Sequence, residues 1–347
     1  NVEAAVSAFP PASALLLVAA GLRLGVLPLN LPYQNEIQMR RGVGTSLRMA
    51  SAATSLVLLA RLTSPQLSTD VRFFLLLSTA IASLYAAAMW VAAANELNGR
   101  PYWIVATAGL SIACVINGSP ANSLVWSTAM ILSGGVLFLY SARARFSFVL
   151  PILAAFAFIG LPFTPASFGW AGLIGENITL FGLVMVLVAA MLVLGLLRHG
   201  LLPGESLKDM QGWIRVAYPL GLFILACSSW IIGFTGSREF LTANRWLASI
   251  AALVLALGLG ILVLRRQGLL IMERRITWLD AILQAAGGWL ARFFSFRWLY
   301  ALIQDFMGLV RRLVEGFSLV LEGEGGVLWA MVLLALLLTL LVPGVGK

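Results

Sequence analysis

The residues in this sequence that could do chemistry are few, and they sit at the margins of apolar runs. Arg23 lies within the first run, while Arg61, Glu96 and Glu176 fall near the ends of others. Ionisable groups inside lipid are costly and persist mainly where they serve a function, so Arg23 is the first candidate. An arginine stays protonated under nearly all conditions; it supplies a field but carries protons poorly. Two readings of Arg23 stand side by side: a charge lining a polar cavity, or a structural cation bonded to carbonyls freed by a helix break at Pro28. Cys114 and Cys227 lie in apolar runs and read as small buried hydrophobes, and the lone His199 follows Arg198 at a helix end, where a cation suits the helix dipole. No nucleophile–histidine–acid set, phosphate loop or His/Cys metal spacing occurs, so no catalytic residue, metal or cofactor is expected.

The elements that must position these residues are helices in a membrane. Hydrophobic residues make up 61% of the 347 and charged ones 11%, with a mean hydropathy of +0.96. Lipid is therefore the solvent for most of the chain. Apolar stretches run over Ala12–Leu31, Met49–Thr63, Phe73–Ala94, Tyr102–Asn117, Asn122–Ser141, Phe148–Gly172, Ile178–Leu197, Val216–Phe234, Trp246–Leu264 and Val327–Val342. They predict an all-α, polytopic transmembrane bundle of about ten spans, the second being the least secure. Two spans are interrupted by prolines, at Pro28 and Pro32 and at Pro162 and Pro165. Proline removes a backbone donor and clashes with the preceding turn, so two broken helices are expected at membrane depth.

The net charge of +9 comes from arginines scattered at helix ends, with Lys208 and Lys347 the only lysines. That pattern is topological and argues against nucleic acid. With ten spans, Arg40, Arg41, Arg48, Arg100, Arg143, Arg145, Arg198, Lys208, Arg215, Arg265, Arg266, Arg274 and Arg275 collect on one side. By the positive-inside rule that side is cytoplasmic and both termini lie opposite. From Ile276 to Phe317 apolar residues recur at helical spacing between Arg292, Arg297, Asp305, Arg311, Arg312 and Glu315, the pattern of a lateral amphipathic helix in the interface plane. Three parts are expected: a bundle over 1–264, the lateral helix over 265–325 on the cytoplasmic side, and a last span over 326–347.

Arg23 five residues before Pro28, the Leu58-Leu-Ala-Arg61-Leu-Thr-Ser-Pro65 helix end and the Gly160-Leu-Pro162 to Phe168-Gly169 break resemble the antiporter-like membrane subunits of complex I (NADH-quinone oxidoreductase) and of multisubunit Na+/H+ antiporters. The lateral helix and final span are similar to the C-terminal extension of that family's distal subunit. The resemblance implies a lysine where this chain has Arg23 and a histidine where it has Asn30. A later His and Lys of the family fall on Asn122 and Trp126, and an Asp-x-Lys on Glu96-Leu-Asn98. After the second break, where the family has Lys or Glu, this chain has Trp170 and Ala171, with Glu176 the nearest acid. The family's first helices have no counterpart here, so the chain is expected to be N-terminally short. Asparagine and tryptophan cannot relay protons, because neither has a pKa that approaches working pH.

The leading expectation is a non-catalytic, antiporter-like subunit that contributes scaffold to a complex I-like or multisubunit antiporter-like complex. Its ion-path or structural charges would be Arg23, Asn30, Glu96, Asn98, Asn122 and Glu176. Its partners would be the lipid bilayer, that of a bacterial inner membrane, and other integral membrane subunits. Two other readings stay open: an active translocator of protons, cations or small anions that uses the broken helices, and a membrane anchor for a photosynthetic or respiratory pigment complex.

Overall fold

The structure is a computed structural model that describes residues 12–30, 41–61, 67–141, 148–161, 164–174, 179–202, 211–236, 243–269, 304–309, 312 and 325–341. Apart from an isolated bridge between Val26 and Leu29, the regular elements among them are helices. In chain order they are α1 (Ala12–Leu24), α2 (Arg41–Ala60), α3 (Thr69–Ala92), α4 (Glu96–Ile116), α5 (Pro120–Leu139), α6 (Val149–Ile159), α7 (Ala166–Leu173), α8 (Leu180–Leu201), α9 (Ile214–Gly236), α10 (Ala243–Leu269) and α11 (Gly325–Leu341). The chain divides into two units, Asn1–Ile276 and Thr277–Lys347. It is a polytopic helical membrane protein. Among the described residues six helices, α2 to α5, α8 and α9, are long and apolar enough to cross a bilayer, and α1, α6 and α10 add shorter apolar segments.

In the first unit α4 is the axis. It packs against α1, α2, α3, α5, α7 and α8, and nearly all of its length is buried. Its start is fixed locally: the Asn95 side chain accepts a hydrogen bond from the Asn98 backbone N–H at 2.8 Å, satisfying a donor with no partner inside the helix. α8 is capped in the same way by Thr179, which accepts from the Gly182 N–H at 3.1 Å. α9 and α10 present rows of exposed Leu, Ile, Val and Phe, the side chains that meet lipid in a membrane protein.

The second expected interruption is present, and at the first the helix ends before Pro28. α1 ends at Leu24, and a turn begins with Gly25 at φ 79°. α6 ends at Gly160 with φ 85°, a left-handed conformation that a side chain would resist, and α7 starts after Pro165. Phe148–Gly172 is thus two short helices rather than one kinked span. The second span also differs from expectation, since α2 begins at Arg41 instead of Met49. Its first two turns carry Arg41, Thr45, Ser46 and Arg48, which mask its hydropathy, yet Thr45 and Arg48 are buried against neighbouring helices.

Large aromatic side chains fit this bundle because glycines make room for them. A methyl group added at Gly195 of α8 would collide with the Trp90 indole nitrogen, and one at Gly99 would lie 2.5 Å from the same ring. Gly134 serves Trp103 in the same way, and Gly169 serves Trp126. Small residues allow membrane helices to approach closely, and here the space they leave is filled by indoles.

In the second unit, α11 has residues 330 to 338 exposed around its whole circumference. Residues 304–309 are helical, with Phe306, Met307 and Leu309 exposed. The remainder of the expected lateral helix beyond Leu269 lies outside the described residues, and α10 runs to Leu269, past the expected end at Leu264.

The glycine–indole fit makes a contrast measurable. Gly195→Ala is expected to lower stability by about 1–3 kcal/mol through overpacking against Trp90. Gly258→Ala on α10, with nothing near the added atom, is expected to be neutral or slightly stabilising because alanine favours helix. Thermal unfolding in detergent micelles would separate the two.

Candidate functional site

The second helix break is where the resemblance places an ion path, and its residues form an aromatic core. Trp126 on α5 and Trp170 on α7 meet edge to face, with ring centroids 5.1 Å apart and planes at 89°. The stack continues from Trp126 to Phe158 at 5.8 Å, from Phe158 to Trp103 at 4.9 Å, and from Trp103 to Trp90 at 5.4 Å. All five rings are buried. The T-shaped pair places the positive edge of one ring on the negative face of the other, and such pairs are stabilising beyond the area they bury.

The carbonyls freed by this break are taken up by protein donors. The Trp170 indole N–H donates to the Ile159 carbonyl at 2.9 Å, and the Ser249 hydroxyl on α10 donates to the Gly160 carbonyl at 2.7 Å. Thr164 Oγ1 donates to the Leu161 carbonyl at 2.7 Å. At the far end of α7, the Asn117 side-chain amide donates to the Gly172 carbonyl at 3.2 Å, and the Cys114 thiol lies 3.7 Å from the Gly169 carbonyl. In a bilayer a broken helix persists only where protein or water satisfies its backbone. At these carbonyls protein does so.

A second polar cluster occupies the end of the bundle formed by the starts of α2 and α4 and the ends of α3, α5 and α8. Glu96 is only 6% exposed and pairs with Arg41 at 2.7 Å, while Arg41 also donates to the Tyr140 carbonyl at 3.3 Å. Arg100, 5% exposed, donates to Thr45 Oγ1 at 2.7 Å. Arg198 donates to the carbonyls of Val91 and Ala93, the latter at 2.9 Å, so it caps the end of α3. The His199 ring, fully buried, places Nε2 3.0 Å from the Trp90 carbonyl; a carbonyl can only accept, so Nε2 carries the proton. These cations hold one helix end to the next.

Two expectations change here. Glu96 lies near a helix end, yet it is buried in an ion pair whose partner stands 55 positions away in sequence. Arg23 does not bond the carbonyls of the first break. Backbone groups do that: the N–H groups of Val26 and Leu27 donate to the Gly21 carbonyl, and Asn30 N–H donates to Gly25. Arg23 is exposed at the end of α1, with Ser51 Oγ 3.5 Å away, and shares a small cavity of about 20 Å³ with Arg48, Ser51 and Pro101. Nor is Arg23 the deepest charge, since Arg48 and Arg100 are buried.

The other candidates do not converge. Asn30 is partly buried in the first break, Asn98 is exposed in the first turn of α4, and Asn122 packs beside Gly172 at the start of α5. The 21 residues of α4 separate the Glu96 end from the Asn122 end by about 30 Å. Pro28 is exposed, Pro165 caps α7, and Pro32, Pro162 and Glu176 lie outside the described residues. Among the described residues no group of His, Cys, Asp or Glu could hold a metal ion. Sequence reasoning missed Arg41, Arg100 and the Trp90–Trp103 pair; the one available signal was an arginine one turn beyond Glu96 at the start of α4.

Comparison with solved structures gives the fold a counterpart. The chain is similar to one chain of the Mrp complex from Dietzia sp. DQ12-45-1b, with a TM-score of 0.58. The two share the fold. They are 16% identical over 88% of this chain and 41% of that one, so this chain spans less than half the length of its counterpart. No family model and no curated protein sequence matches it.

If the break is held by protein donors, removing one should leave a buried carbonyl unsatisfied. Trp170→Phe and Ser249→Ala are each expected to cost about 1–3 kcal/mol. Because both act on adjacent carbonyls, the double variant should depart from additivity in thermal unfolding of the purified chain.

Proposed function

We propose that the chain is a non-catalytic, antiporter-like membrane subunit that serves as scaffold within a larger membrane complex of the Mrp or complex I kind. The observation that carries this reading is the Trp126–Trp170 contact: where the resemblance implies a lysine at the first position and a lysine or glutamate at the second, two buried indoles pack edge to face. A proton path needs groups that titrate near working pH and lie within hydrogen-bond or water reach of one another. The stretch from Glu96 to Asn122 is instead lined by Trp103, Thr107, Ser111 and Cys114, of which Thr107 and Ser111 donate to carbonyls of α4 and α5. The fold shared with a chain of the Mrp complex supports membrane subunits as partners. The exposed apolar faces of α9 and α11 support contact with lipid or with such subunits. The arginine-rich end of the bundle is the cytoplasmic one by the positive-inside rule, in a bacterial inner membrane.

The test is to purify the native complex through a tag on this chain, identify its companion subunits, and measure ion flux after reconstitution into vesicles. Arg23→Ala and Glu96→Gln are expected to leave flux per assembled complex unchanged. Their effect should fall on the yield of assembled complex. A tenfold loss of flux in a normally assembled Glu96→Gln complex would overturn the scaffold reading in favour of an active translocator.

A further inference from the structure

Between α2 and α9, with α5 as its floor, a groove runs along the outside of the bundle. At one end it has a volume of about 480 Å³ and is lined by Arg41, Ser141 and Tyr218; beyond Leu139 and Leu225 it continues as a further 260 Å³ over Met49, Ala53 and Gly135. From Arg41 to Ala53 the groove follows α2 for roughly 18 Å. It is polar at the mouth, where the Arg41 guanidinium stands paired with Glu96, and apolar for the rest of its length.

The mouth has capacity left for an anion. Arg41 engages Glu96 and the Tyr140 carbonyl through Nη1 alone, and 30% of its side chain is exposed against 8% for Glu96. A guanidinium carries five N–H donors in a planar fork, so Nε and Nη2 remain for a ligand on the open side. α2 and α9 both begin at this end, and the partial positive charge of a helix start adds to that of Arg41. A neighbouring transmembrane helix would press apolar side chains on the guanidinium. An amphiphile places an anion there and hydrocarbon on the floor.

We propose that this groove is a binding site for one phospholipid, its phosphate on Arg41 and one acyl chain lying along Met49, Ala53 and Gly135. The test uses the full chain purified in detergent, titrated with phosphatidylglycerol and followed by native mass spectrometry, with a phosphate-free diacylglycerol of the same chains as control. One phosphatidylglycerol is expected to stay bound where the diacylglycerol does not. Arg41→Gln should weaken binding at least tenfold. Ala53→Phe, which fills the groove and leaves the Arg41–Glu96 pair intact, should do the same, so the proposal remains testable if Arg41→Gln fails to fold. Equal phosphatidylglycerol binding by wild type and Ala53→Phe, equal retention of the diacylglycerol, or a helix of another subunit seated in the groove of the native complex would each overturn it.

Discussion

A helix that stops inside a membrane exposes carbonyls for which lipid offers no donor, and the construction of this bundle follows from how that demand is met. At the break between α6 and α7, the donors come from an indole on α7, a hydroxyl on α10, a hydroxyl in the linker before α7 and the side-chain amide that follows α4. Each donor has to be held at hydrogen-bond distance, which fixes where α4, α7 and α10 lie around the break. The aromatic stack supplies that rigidity: Trp170 is held by Trp126, and Trp126 by Phe158 and the rings beyond it.

Electrostatics perform the corresponding service at the arginine-rich end. Helix ends leave unsatisfied carbonyls, and cations are favourable there. Arg198 closes α3, and Arg41 closes α5 while pairing with Glu96 at the start of α4. One arginine thus joins three helices. At the first break, the turn's own backbone N–H groups take up the carbonyls of Gly21, Leu22 and Gly25.

The helices were legible wherever hydropathy alone decides them. The expected limits of α3 and α8 agree with the observed ones to within about one helical turn. The beginning of α2 was not legible, because its polar face is buried by α4 and α5, which hydropathy along the chain does not see. The break at Gly160 followed from proline chemistry, but its donors did not. Ser249 stands 89 positions from Gly160 and looks like any serine in an apolar helix. The burial of Glu96 was hidden for the same reason. That Trp126 and Trp170 stand where the family has titratable residues came from the resemblance, and only the fold shows that the two rings touch.

The seating of indoles on glycines has a consequence for how such a chain can change. Trp126 occupies space that exists because position 169 carries no side chain, and Trp90 does so over both Gly99 and Gly195. A lysine returned to position 126 would bring a charge and, at the same time, open a void over Gly169. Charge and shape are stored at these sites as one joint character. A titratable residue at this position therefore requires coordinated changes around it, with less stable intermediates between.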